Sequence, residues 1–217
     1  MSNSPFPDLA EEYVLRASGH TYVAGLDEAG RGAWAGPVCA AAVVLPLDRD
    51  NLGDLLDGVR DSKLLTAKRR EELLPVVCGV ALAVGVGWAE PADVDRFGVV
   101  AATQQAMTQA VEALNGQMVD QAGALLIDHL RLPGLNLPQR VLPKADCRCL
   151  TVAAASIVAK VERDRRMIAL DEDYPGYGFA RHKGYGTRQH REALRRLGPA
   201  PIHRMSWRPI RQRIENE

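Results

Sequence analysis

The sequence predicts an α/β protein: a mixed β-sheet flanked by helices, with a short C-terminal helical extension. Three observations point there. Runs rich in branched and small apolar residues have strand length: TYVAGLD (21–27), GPVCAAAVVLPL (36–47), VALAVGVGWAE (80–90), GALLIDHL (123–130) and RVLPKAD (140–146). The first two are joined by a glycine loop, as in a hairpin, whereas helical stretches separate the later ones, as in crossovers. At 217 residues, 47% of them apolar, the chain has material for one ample core.

The elements follow in order. After the two opening strands, residues 64–78 (LLTAKRREELLPVVC) have Thr66 as an N-cap and Leu73 and Leu74 on one face, which predicts a helix stopping near Gly79. The third strand runs from Val80 to Glu90. From Pro91 a helical stretch extends to about Gly116 with a break near Gly98, and its alanines and glutamines suit close packing on a sheet. Two short strands then end in Asp128 and Asp146. Leu150 to Tyr174 is a long helix, small and apolar in its first half and charged in its second. The rest is rich in Gly and Pro, with one short helix over about 187–197. No repeat or linker divides the chain, so residues 20–208 read as one domain, 1–19 as an N-terminal extension and 209–217 as a tail.

Charge narrows the partners. The net charge is zero, but residues 140–217 hold 17 Lys/Arg against 9 Asp/Glu, and residues 1–139 hold 10 against 18. Such a split suits a basic surface in the C-terminal third and an acidic patch elsewhere. No apolar run reaches eighteen residues, which argues against a membrane span. The N-terminus has no basic stretch before an apolar one, so a cytoplasmic protein is expected. The four cysteines (Cys39, Cys78, Cys147, Cys149) suggest free thiols, and none has a histidine partner at zinc spacing.

The chemistry lies in the acids. Three apolar runs end in carboxylates: Asp27 with Glu28, Asp128, and Asp146. Strands ending side by side gather such groups, and like charges at short range repel unless a cation sits among them. Four hard oxygen donors suit Mg²⁺ or Mn²⁺ rather than zinc. A single acid at a strand end is an ordinary turn former. Asp27-Glu28 differs because Gly30-Arg31-Gly32 follows, and glycines let backbone N–H groups approach an anion or a sugar closely.

Six blocks in register carry a resemblance: GLDEAGRGAWAGPV, DSKLLTAKRREEL, IDHLRLPG, KADCRCLTVAAASIVAKVERDR, YPGYGFARHKGYGT and GPAPIHRMSW, spanning about 20–208. The chain resembles ribonuclease HII, the type 2 ribonuclease H. The resemblance implies a ribonuclease H-like fold and a metal-dependent endonuclease. Such an enzyme cuts RNA in RNA–DNA hybrids, and cuts 5′ to single ribonucleotides embedded in duplex DNA, leaving 3′-OH and 5′-phosphate ends. It implies two Mg²⁺ or Mn²⁺ ions on Asp27, Glu28, Asp128 and Asp146, activating a water and stabilising the leaving oxygen. Gly30, Arg31 and Gly32 fall on the family's backbone sensor of the ribose 2′-OH. Tyr185 falls on the tyrosine that stacks on the following sugar. His129 and Ala145 stand where many members have glycine.

Other residues remain double-edged. Ser62 and Lys63 precede a helix, where they reach phosphate or form a solvated turn. Lys160, Arg163, Arg165 and Arg166 spread over several helix faces, so some are expected on DNA phosphate and others paired with Glu162, Asp164 or Asp171. Lys160 and Arg163 are the ones assigned to substrate. His182, His190 and His203 read as surface or phosphate contacts. Cys147 and Cys149 line or underlie the site. The alternative function is a catalytically inactive nucleic-acid-binding module on the same fold, which would have lost one of the four acids. A type 3 enzyme would need an added N-terminal domain, and a type 1 enzyme lacks the Gly-Arg-Gly loop. The expected state is a monomer.

Overall fold

The computed structural model describes residues 6–214. Its sheet has five strands: β1 (Val23–Ala29), β2 (Val38–Val44), β3 (Ala83–Ala89), β4 (Ala124–Asp128) and β5 (Gln139–Leu142), in the spatial order β3-β2-β1-β4-β5. β1, β2 and β3 pair antiparallel, while β1–β4 and β4–β5 are parallel, giving the mixed sheet expected. The helices are α1 (Ala10–Ala17), α2 (Leu52–Leu55), α3 (Ala67–Val80), α4 (Pro91–Asn115), α5 (Leu150–Asp173), α6 (Phe179–His182), α7 (Arg188–Leu197) and α8 (Arg208–Ile214). The final turn of α8 is described by its backbone, and residues 215–217 of the predicted tail lie outside the described residues.

Strand alternation divides the core into two layers. Val23, Cys39, Ala41 and Val43 face α3 and α5 on one side, and Ala24, Leu26, Val38 and Ala40 face α4 on the other. α5 lies close to β1 because its first half is small: Ala153, Ala154, Ala155 and Ala159 are buried. Gly25 completes that approach. A Cβ there would stand 2.4 Å from the Thr151 carbonyl carbon, so any larger residue would lift α5 off the sheet. A third cluster, with Tyr177, Phe179, Leu194 and Ile210, supports the C-terminal region.

Local rules place most boundaries. Thr66 caps α3 by accepting from Arg69 N, and Gly98, at φ 81°, breaks α4 where the sequence predicts. Two expectations shift. α3 runs through Gly79 to Val80, so β3 starts later than predicted. The last strand stops at Leu142 because Pro143 and Lys144, at φ 56°, turn the chain, and Asp146 sits in a 3₁₀ turn, Ala145–Cys147. α1, α2 and α6 have no counterpart in the sequence reading, being short or without a clear apolar stripe.

One side chain of α1 docks it on the core. Glu12 is fully buried, and its Oε1 accepts from Thr151 N at 2.9 Å and from Thr151 Oγ1 at 2.8 Å, capping α5 from another helix. Burial, outweighing these bonds, pushes its carboxyl up from the usual 4.5 to about 7.

Candidate active site

The sheet register brings the acids together. Leu26 pairs with Ile127 across the parallel β1–β4 pair, so Asp27 and Asp128 stand level at the carboxyl ends of neighbouring strands. Asp128 pairs in turn with Leu142 on β5, and the turn that follows carries Asp146 to the start of α5. Alternation sends Asp27 toward the α5 layer, where Asp146 lies, and Glu28 toward the opposite side.

Their electrostatics tie the four acids into one group. Asp27, 3% exposed, is held well above the ordinary carboxylate range, first by burial, then by Glu28, with Asp146 adding to it and Lys63 opposing. Glu28 is raised too, first by burial, and Asp128 contributes while Arg31, 3.4 Å away, pulls it down. Lys63 Nζ stands 3.1 Å from Asp146 Oδ2. Burial pulls that ammonium down, but the bond to Asp146 and the charges of Asp27, Asp146 and Asp61 outweigh it and raise it. Two cations therefore face four mutually repelling acids. A divalent ion among them would remove the repulsion, and an all-oxygen donor set fits Mg²⁺ or Mn²⁺.

Asp128 has its own supports. Its Oδ1 accepts from Ala145 N at 3.0 Å and lies 2.6 Å from His129 Nδ1. His129 is left-handed, at φ 55°, a conformation that glycine adopts without strain. Asp61, Asp146 and Cys147 place one ligand atom each within 4.8 Å of one another. Asp61 Oδ1 is engaged by Lys63 N, and Cys147 is raised first by burial and then by Asp146 and Asp61, which keeps it a thiol. Cys149 is buried at the start of α5.

Beside the acids runs the glycine loop. Gly30 has φ 88°, and a Cβ there would fall 1.7 Å from Arg163 Nε; around Gly32 the space is open. The loop is held from beneath by two buried arginines. Arg204 donates to the carbonyls of Gly30 (2.7 Å), Arg31 (2.8 Å) and Gly36 (2.9 Å). Arg163 donates to Pro37, Ala35 and Lys183, at 2.8, 3.2 and 3.0 Å. Gly184 accepts from Trp34 N at 2.9 Å, which joins the glycine loop to the segment carrying Tyr185. The Tyr185 ring, 37% exposed, has Lys160 Nζ 5.7 Å and Arg163 Cζ 5.5 Å from its centroid.

Several expectations move. Arg163 is fully buried with its guanidinium on backbone carbonyls, so it braces two loops and does not reach phosphate. Ser62 is buried as well, its N donating to Ser156 Oγ and its carbonyl accepting from Arg70. Lys160 pairs with Asp164 at 2.7 Å, Arg165 with Glu71 at 2.6 Å and Glu162 at 3.2 Å, and Arg166 with Glu90 at 2.8 Å. His182, His190 and His203 are buried, not on the surface. A cleft is lined by Arg181, His182, Thr187, Arg188, Gln189 and Glu192, with Arg188 paired to Glu192 at 2.7 Å and Arg181 adding positive charge. Sequence reasoning missed the roles of Asp61, Arg204 and Glu12. Arg204 lies inside a recognisable block, GPAPIHRMSW, whereas nothing local marks Glu12.

Comparison with known proteins agrees with this fold. A sequence profile described as ribonuclease HII matches residues 24–210. The ribonuclease HII of Chloroflexus aurantiacus is 50% identical over 204 residues, covering 94% of each chain. The crystal structure of ribonuclease H2 from Pyrococcus horikoshii superposes with a TM-score of 0.73 at 28% identity, covering 90% of this chain and 98% of that one. Ribonuclease HII of Archaeoglobus fulgidus, solved in complex with PCNA, gives 0.69 at 28% identity, over 86% and 95%. The profile, the near-full-length identity and the shared sheet place the chain in one family: it belongs to ribonuclease HII.

Proposed function

We propose that this chain cuts duplex DNA 5′ to single embedded ribonucleotides, leaving 3′-OH and 5′-phosphate ends, and so serves ribonucleotide removal from DNA. The coarser activity, metal-dependent endonucleolytic hydrolysis of RNA in RNA–DNA hybrids, follows from family membership. The observation that carries the finer reading is the glycine loop, held by Arg204 and Arg163 beside the four acids and tied through Gly184 to Tyr185.

Asp27, Glu28, Asp128 and Asp146 would hold two divalent ions, Mg²⁺ or Mn²⁺, which when bound activate water for attack on phosphorus and stabilise the leaving oxygen. The remaining work belongs to the chain. Lys63 and Arg31 offset acid charge at the rim of the site. We assign the N–H groups of Gly30, Arg31 and Gly32 to the ribose 2′-OH, since the open space at Gly32 lets a sugar approach the backbone. Tyr185 offers its ring to the next sugar, and Lys160 and Arg163 under that ring fix its position. The basic face around Arg181 and Arg188 carries duplex phosphates. No helix among the described residues is long and apolar enough to cross a membrane. We place the activity in the cytoplasm, carried by a monomer.

The test is an end-labelled DNA duplex with one ribonucleotide, incubated with the protein and Mg²⁺ or Mn²⁺. A single cut on the 5′ side of the ribonucleotide is expected. Cleavage of continuous hybrid alone would overturn the proposal.

A further inference from the structure

We infer that His203 and His190 form a hydrogen-bonded relay of fixed tautomers that holds the Tyr185 loop in place, making both histidines positioning residues for substrate. The clamp on the loop is read directly from the structure, and its consequence for cleavage rests on the sugar-stacking reading of Tyr185 given above.

The argument is one of donors and acceptors. His190 Nδ1 lies 3.0 Å from the Tyr185 carbonyl, which can only accept, so Nδ1 carries the proton. A neutral His190 must then accept at Nε2, and His203 Nε2 lies 3.0 Å from it. His203 therefore donates at Nε2 and has a bare Nδ1. Ala200 N–H stands 2.8 Å from that Nδ1 and fills it, while the Ala200 carbonyl already accepts from His203 N. His203 Nδ1 also lies 3.0 Å from the Ala200 carbonyl, so its own surroundings admit either tautomer, and it is the Tyr185 end, where the carbonyl can only accept, that sets the assignment. The proton chain runs from Ala200 N–H through His203 and His190 to the Tyr185 carbonyl.

A third histidine flanks the loop from the other side. His182 Nε2 faces the Tyr177 carbonyl at 2.9 Å and donates to it, leaving Nδ1 to accept from Gly184 N at 3.2 Å. His182 and His190 stack with ring centroids 4.5 Å apart, and Phe179 meets both edge-on. Charge on both stacked rings would repel, and a second proton on His190 would set its Nε2–H against that of His203. Burial, the largest influence on each, holds His190 and His203 down at about 4, so both are neutral under physiological conditions. The relay leaves Tyr185 with a half-exposed ring on a fixed backbone.

The experiment uses uniformly ¹⁵N-labelled full-length protein at pH 7 and needs no variant for its first part. Long-range ¹H–¹⁵N correlation spectra are expected to show His190 as the Nδ1–H tautomer and His203 as Nε2–H, with a nitrogen–nitrogen coupling across their hydrogen bond. His190 found as Nε2–H, or charged, overturns the relay. The second part compares His203→Leu with His203→Gln, whose amide keeps a donor near the Nε2 position. In the Leu variant, hydrogen exchange of the Thr187 amide, which also donates to Tyr185 O, should rise by about tenfold, the loss of one buried hydrogen bond. Turnover on the single-ribonucleotide duplex should fall by about tenfold or more with little change in KM. Gln should restore both. Wild-type exchange in a folded Leu variant overturns the clamp, and restoration of exchange without turnover overturns the positioning role. Tyr185→Ala, assayed beside them, separates the two ideas: if it cuts both duplexes alike, sugar stacking fails while the exchange and tautomer results still judge the relay.

Discussion

Arg204 reaches across the fold to donate its Nη2 to the carbonyl of Gly30 at 2.7 Å, although the two residues are 174 positions apart. The same guanidinium holds Arg31 and Gly36, and it is fully buried. Its hydrogen-bond partners are backbone carbonyls, while the charge of Asp95, which accepts from Met205 N and Ser206 N, acts on it without a direct bond. Arg204→Met should strip three buried carbonyls of a donor and cost on the order of 3 kcal/mol. For a domain of this size that is a drop of roughly 6–12 °C in Tm, read by thermal melt. Arg204→Lys, with one point of contact in place of a fork, should recover only part of it. A melt within 2 °C or so of the wild type would show that the loop holds itself.

The acids answer to a different test. Asp27→Asn and Asp128→Asn each keep size and lose charge, so cleavage should fall below detection while the affinity for a ribonucleotide-containing duplex changes by less than about threefold. Binding measured by fluorescence anisotropy, next to a cleavage assay, separates the two. Turnover near that of the wild type in either variant would remove that residue from the metal site.

Tyr185 separates holding a hybrid from recognising a junction. If its ring stacks on the deoxyribose after the ribonucleotide, Tyr185→Ala should lose on the order of a hundredfold in turnover on a single embedded ribonucleotide, and much less on continuous hybrid. Tyr185→Phe should keep most activity on both, since stacking needs the ring. Equal losses on both duplexes, together with a lowered Tm, would instead assign the ring to packing.

Glu12 makes stability depend on pH. Its folded-state carboxyl titrates at about 7 against an ordinary 4.5, so between these values the folded protein holds a proton that the unfolded chain has lost. Stability from this group is therefore lost as pH rises from 4.5 to 7, and the full cost, on the order of 3 kcal/mol, is carried above pH 7. His190 and His203, held at about 4 against 6.5, act oppositely and lose stability as pH falls across that window. They are common to wild type and Glu12→Gln, so the difference between the two proteins isolates Glu12. The variant should melt higher by roughly 6–12 °C at pH 8 and by little at pH 5. A difference independent of pH would mean that Glu12 is ionised in the folded state at both values.

The sequence by itself determined the strands' existence, the α4 break at Gly98, the position of Asp27, Glu28 and Asp128 at strand ends, and the loop that follows the first pair. These are legible because strand length, glycine placement and an acid closing an apolar run are local patterns. Tertiary structure alone decided that Arg163 braces rather than binds phosphate, that Ser62 is buried, and that three apparently superficial histidines are buried and packed against one another. It also decided that Glu12 caps α5 and that Lys63 turns its ammonium to Asp146. The physical reason is shared: a polar or charged side chain carries no local sign of whether water or a buried carbonyl will satisfy it. Arg163 and Arg165 stand two residues apart on one helix, and only the packing of the glycine loop against α5 makes one of them interior and leaves the other in solvent.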